Sequence, residues 1–188
     1  MFFFNSKIRV TLIGLILGLL MGGCAEESEF ERTKRLAIDG NALAQYNLGL
    51  MYRNGEGVPQ DNKLAVKWYT MSAEQGHAKA QYNLGLMYAS EKGVSHDDKE
   101  AVRWYRLSAE QGYADAQYNL GVMYYNGEGV PQDYKEAHAW WSVAKANGQE
   151  LAEKILGIVT KKMTNEQIVQ AKSISIEISK RIEANRKD

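Results

Sequence analysis

Six residues, Ala44-Gln45-Tyr46-Asn47-Leu48-Gly49, return unchanged as Ala80 to Gly85 and as Ala116 to Gly121, with an offset of 36 residues each time. Around these anchors, residues 44–79 match 80–115 at 23 of 36 positions and match 116–151 at 20 of 36. A chain with this internal period is constrained to a tandem array, in which each unit buries its apolar face against the next and long-range folding reduces to stacking.

Each unit carries two helical patterns. In the first, Ala44, Leu48, Met51 and Tyr52 fall at i, i+4, i+7 and i+8 and so share one face. In the second, Ala65, Trp68, Tyr69 and Ser72 keep the same periodicity, repeated by Ala101, Trp104, Tyr105 and Ser108 and by Ala137, Trp140, Trp141 and Ala144. The turn residues Gly55-Glu56-Gly57-Val58-Pro59-Gln60 separate the two patterns and return as Gly127 to Gln132. The unit is therefore a helical hairpin. Asp61, Asp97 and Asp133 stand where each second helix begins, and Glu100 and Glu136, three residues after the last two, predict capping boxes. Gly40, Gly76, Gly112 and Gly148 predict left-handed ends of the second helices. Gly49, Gly85 and Gly121 lie inside first helices, where glycine costs about 1 kcal/mol relative to alanine. That recurring cost predicts a close approach of the Trp-Tyr helix. In the second unit Glu91 replaces the first loop glycine and Ser95 the proline, which predicts a different turn between unchanged helices.

The same phase extends beyond the full units. Arg35 to Ala42 aligns with Met71 to Ala78, and Ala152, Leu156 and Gly157 continue the phase of Ala44, Leu48 and Gly49. The expected organisation is a solenoid over 34–163, with a half-repeat at 34–43, repeats at 44–79, 80–115 and 116–151, and a degenerate half-repeat at 152–163. Thr164-Asn165-Glu166-Gln167 then opens a helix over 164–188, whose Ile174, Ile178 and Ile182 form one stripe and are expected to close the end of the stack.

The first 23 residues differ from the rest. Lys7 and Arg9 precede an uncharged apolar run from Val10 to Met21, the layout of an export signal and short for a membrane span of roughly 20 residues. Leu20-Met21-Gly22-Gly23-Cys24 resembles a bacterial lipoprotein box. Lipidation there accounts for both the position and the number of the chain's single cysteine, with 24–33 as a tether; ordinary signal-peptidase cleavage is the alternative. The resemblance implies a palmitate-bearing, membrane-anchored lipoprotein that faces the periplasm, and Ala25 after the cysteine favours the outer membrane of a Gram-negative cell. Charge is balanced at 23 basic and 23 acidic residues, which speaks against nucleic acid as a partner.

The unit Ala-x-Tyr-x-Leu-Gly-x-Met-Tyr, Gly-x-Gly-Val, Asp, Ala-x-x-Trp-Tyr, Glu-Gln-Gly closely resembles the Sel1-like repeat, a relative of the tetratricopeptide repeat. The resemblance implies an all-α, right-handed α-solenoid of Sel1-like, TPR-like helical hairpins, and a monomeric interaction scaffold without catalytic activity, cofactor or metal. A few secreted relatives bind or hydrolyse β-lactams, but they carry paired cysteines in each repeat, and this chain has none there.

The three histidines, His77, His96 and His138, occupy three different phases of the repeat and form no ligand set, since zinc needs three or four ligands brought together. No Gly-x-Ser-x-Gly elbow occurs. Tyr52, Trp68, Tyr69 and their equivalents are expected in the core. The face left over on the first helices carries Tyr46, Asn47, Leu50 and Arg53, then Tyr82, Asn83 and Leu86, then Tyr118, Asn119, Val122 and Tyr125. By resemblance to tetratricopeptide scaffolds, this face lines a concave groove for a protein or peptide segment. Asn47, Asn83 and Asn119 either bond that segment's backbone or carboxylate, or tie neighbouring helices together.

Overall fold

A computed structural model describes residues 27–186; Cys24 and the expected signal segment 1–23 lie outside the described residues. Among them the chain forms nine α-helices and no strand: α1 (Glu29–Ile38), α2 (Ala42–Asn54), α3 (Asn62–Glu74), α4 (Ala78–Ala89), α5 (Asp98–Glu110), α6 (Ala114–Asn126), α7 (Tyr134–Ala146), α8 (Glu150–Thr160) and α9 (Asn165–Asn185). From α1 to α8 each helix packs on the next, so the pairs α2–α3, α4–α5 and α6–α7 are the three expected hairpins stacked into an all-helical solenoid. Helix α1 holds the place of a second helix and α8 that of a first, so among the described residues the stack begins and ends on half a hairpin. The reading of 24–33 as a tether is corrected from Glu29 onward. The Ser28 hydroxyl accepts the Glu31 N–H at 3.2 Å, and Glu29 and Glu31 sit at the positive end of the helix dipole, so α1 starts there.

The Asp97 and Asp133 carboxylates each accept two backbone N–H groups at the start of their helices, as Asp61 does. The reciprocal half of the expected capping box is not formed at Glu100, which instead pairs with Arg103 at 3.0 Å. Only Thr164 and Gln167 complete a box among the described residues. His77 caps α4 through Nδ1, which accepts the Ala80 N–H at 3.2 Å.

The turn in the second unit differs in part. Helix α4 stops one residue early at Ala89 with Ser90 as its C-cap, and the side-chain bonds that Gln60 and Gln132 make to the Arg53 and Tyr125 carbonyls have no counterpart at His96, but the left-handed position is kept. Glu91 takes the left-handed conformation of Gly55 and Gly127, with φ of 55° against 75° and 76°. Lys92 N–H donates to Met87 O as Glu56 N–H does to Met51 O. The flanking helices fix the loop's ends, and the glutamate backbone bears the strain.

Close packing explains the glycines inside the first helices. A Cβ at Gly49, Gly85 or Gly121 would lie 2.6, 2.7 or 2.5 Å from the rings of Tyr69, Tyr105 and Trp141 respectively. These aromatic rings are buried at 0–2% exposure, so the notch lets a large apolar surface leave water. A second network, absent from the expectations, runs through Gln45, Gln81 and Gln117. Each buried amide donates to a carbonyl of the preceding second helix (Ala37, Ala73 and Ala109, at 3.0–3.1 Å) and accepts from Gln75, Gln111 or Asn147. Ser72 and Ser108 add hydroxyl bonds to Ala42 O and Ala78 O. Neighbouring helices are thus joined by satisfied polar groups as well as by apolar packing.

Helix α9 does not close the end of the stack, which corrects the expectation for 164–188. It turns back along α7 and reaches α5, burying Ile178 and Ile182 beside Val102, Trp140 and Val143, while Arg181 meets Glu110 at 3.4 Å. The outer side of the second helices is apolar there and draws the isoleucine stripe onto it. The end is closed by α8 itself, which exposes the polar Glu150 and Glu153 as a terminal repeat needs. Gly157 keeps the notch phase yet meets nothing within 4 Å.

Candidate interaction surface

The stripe on the first helices is built by the same spacing in each unit, because successive first helices repeat at 36 residues. Tyr46 is half-buried, its ring 6.0 Å from Tyr69 and 4.8 Å from His77. Tyr82 repeats this against Tyr105 at 6.0 Å and Tyr113 at 5.1 Å, and Tyr118 lies 6.4 Å from Trp141. Tyr125 packs between Trp141 and Tyr134, and the Lys162 ammonium lies over its ring at 4.6 Å. Edge-on and tilted aromatic contacts of this kind fix ring orientation. The tyrosines therefore present preset surfaces along one side of the stack.

The asparagines separate into two roles. Asn83 is buried, and its Oδ1 accepts from Arg53 Nη1 at 3.2 Å, so both of these residues join α2 to α4. Asn119 faces the Tyr82 and Tyr105 hydroxyls. The alternative in which asparagines tie neighbouring helices holds for Asn83, whereas Asn47 is exposed. Leu50, Leu86 and Val122 are half-buried.

Burial pushes the Tyr69 phenol up to about 12, with Arg53 opposing the rise, and pushes Tyr113 to about 12 with help from Asp115. Tyr82 and Tyr105 are raised by the same desolvation. These hydroxyls stay protonated at neutral pH and do not act as bases; that of Tyr69 is buried without a hydrogen-bond partner among the described residues.

Two features of this side went unread in the sequence. Ile158 in α8, at the phase of Leu50, Leu86 and Val122, is 50% exposed, and Leu151 is 52% exposed. The 36-residue period was the signal that could have found Ile158. At the other end, Asn47, Leu50 and Met51 of α2 with Phe30 and Thr33 of α1 line a cleft of about 460 Å³. No sequence pattern points to it, because it lies between two elements.

The histidines stand apart. His77 caps α4, His96 pairs with Asp98 at 3.2 Å, and His138 is buried on α7 beside Ser142, whose hydroxyl donates to the His138 carbonyl. Among the described residues no group of three His, Cys, Asp or Glu side chains could hold a metal ion.

Stacked helical hairpins with a repeating aromatic and aliphatic stripe define the class of helical-repeat solenoids. Within that class the chain belongs to the Sel1 repeat family, whose model matches residues 42–77, 78–113 and 114–149. A Sel1 repeat protein from Oxalobacter formigenes shares 33% identity and a TM-score of 0.62, over 82% of this chain and 60% of that one. A protective antigen present in uropathogenic Escherichia coli strains, which displays an SLR fold, shares 31% identity and a TM-score of 0.54, over 97% and 48%. Helicobacter pylori cysteine rich protein B, 23% identical with a TM-score of 0.57 over 72% of this chain and all of that one, shares the fold. A sel1-like repeat-containing protein of Acanthamoeba polyphaga mimivirus is 44% identical over 45 residues, which cover 24% of this chain and 8% of that protein. The chain thus spans only part of the first of these relatives. Sel1-like repeat proteins are generally protein-interaction scaffolds.

Proposed function

We propose that this chain is a non-catalytic interaction scaffold of the cell envelope, tethered through a lipidated Cys24 on the periplasmic side, that holds a protein or peptide segment against the stripe of its first helices. One observation carries this reading. The solenoid leaves a row of half-buried aromatic and aliphatic side chains on one side, ending in the exposed Ile158 and Leu151, and contiguous apolar surface of this kind marks interaction sites. Tyrosine with aliphatic neighbours also suits the desolvated centre of an interface.

Tyr82 and Tyr118 hold neighbouring rings, so the test uses positions whose side chains reach solvent. A photo-crosslinking residue at Asn47 or Ile158 is expected to trap a partner in cells, while one at the exposed Lys67 of α3 traps none. Equal yields from all three positions would remove the groove assignment. For the tether, Cys24→Ala is expected to release the protein from membranes, and unchanged retention would refute lipidation. A β-lactam-binding or hydrolysing role has little behind it, because Cys24 is the chain's single cysteine and the cysteine-rich neighbour shares only the fold.

A further inference from the structure

Each end of the first-helix stripe is mixed in charge, with Lys34 over the Phe30 ring at 5.5 Å at one and Glu150 and Glu153 exposed on α8 at the other. The first nevertheless lines its cleft with carboxylates, and the second sets lysines at the phases of the stripe. At the α1 end, the cleft walled by Asn47 and Leu50 is also lined by Glu29 and Glu56, beside the Phe30 ring. Neither carboxylate forms an ion pair with a described residue; Glu56 accepts only from the Asn54 amide at 2.7 Å. At the α8 end, Lys162 lies over the Tyr125 and Tyr134 rings at 4.6 and 5.4 Å. Exposed Lys154 and Lys161 stand there at the phases that Tyr46 and Arg53 hold on α2. Between the ends, Leu50, Leu86, Val122 and Ile158 keep one phase apolar in all four first helices.

We infer that the stripe takes a charge-polarised linear segment: a basic side chain in the Glu29 and Glu56 cleft, aliphatic side chains over the four rungs, and an acidic group against Lys154, Lys161 and Lys162. This rests on the groove assignment above and adds to it the chemistry of the occupant. Carboxylates lining one end and lysines on the other fix the register of an otherwise repetitive surface, because a segment shifted by one unit loses both pairings. The segment is extended. Asn47 offers an exposed carboxamide that can pair with the free backbone N–H and C=O groups of an extended chain, groups that the middle of a helix has already bonded within itself.

The experiment titrates the full-length protein into a fluorescein-labelled peptide of about ten residues, with two arginines at one end, two glutamates at the other and leucine between. A matched peptide with glutamine at the four charged positions is the control. Anisotropy is expected to show the charged peptide binding at least tenfold more tightly at low salt, with the gap closing as salt screens it. A Glu29→Lys, Glu56→Lys double variant, its helicity checked by circular dichroism, is expected to lose that gap and to prefer a peptide acidic at both ends. Equal affinity for the charged and neutral peptides, with binding abolished by Ile158→Asp, overturns the polarity and leaves the groove standing. Binding of neither peptide overturns both. Self-association of the protein that Ile158→Asp abolishes makes a second copy the occupant and likewise overturns the proposal.

Discussion

The Trp141 indole lies across Gly121 and donates its Nε1–H to the carbonyl of Tyr118 at 2.9 Å, locking α7 to α6 at a single depth. Tyr69 and Tyr105 fill the same notch in the earlier units without that hydrogen bond, so the third hairpin is tied by one more polar contact at this position. The notch requires glycine wherever a ring is pressed into it and nowhere else, which gives a paired test.

Gly85→Ala places a Cβ 2.7 Å from the Tyr105 ring and 3.3 Å from Ala101 O, so the packed helices must part. Overpacking of this kind costs about 1–3 kcal/mol, more than the helix propensity gained. Gly157→Ala meets open space and is expected to stabilise by about 0.5–1 kcal/mol. Thermal melts of the two variants should move in opposite directions; parallel shifts would refute the notch.

His77 links stability to pH. Its Nδ1 must be unprotonated to accept the Ala80 N–H, and burial holds its pKa below the ordinary value of 6.5. The unfolded chain therefore binds the proton first, and this contribution, present above pH 6.5, is lost as pH falls through the folded-state pKa. His77→Asn, which copies Asn41 at the start of α2, keeps a cap worth about 1 kcal/mol and removes that part of the acid sensitivity. Denaturant midpoints of the two proteins at pH 7.5 and 5 check this, and equal pH dependence counts against it.

Glu91 bears a left-handed backbone at φ 55° where the other two units have glycine. A residue with a Cβ costs roughly 1–2 kcal/mol in that conformation, so Glu91→Gly is expected to recover about 1 kcal/mol. A lower melting temperature for the variant would show that the side chain contributes more than the strain costs.

Much of this was legible because a repeat states its own pattern three times. The hairpins, the Asp caps, the glycine notches and the aromatic second helices each follow from spacing within one or two units. The loop at Glu91 was legible only in part: its changed residues end α4 one residue early, while the helices that hold its ends keep the left-handed position. The asparagines were ambiguous for a related reason. Asn47 and Asn83 occupy the same phase and look identical in sequence, but Arg53 of the preceding first helix reaches Asn83, and among the described residues no first helix precedes α2.

The sequence by itself determined the period, the hairpin and the number of units, since these depend on contacts between residues near one another in the chain. The tertiary structure alone decided the placement of α9, the cleft beside Phe30 and the buried relay through Gln45, Gln81 and Gln117. Each of these depends on which surface two separate elements leave exposed to one another. An isoleucine stripe records only that α9 must bury a face; the apolar outer side of α5 and α7 selects where.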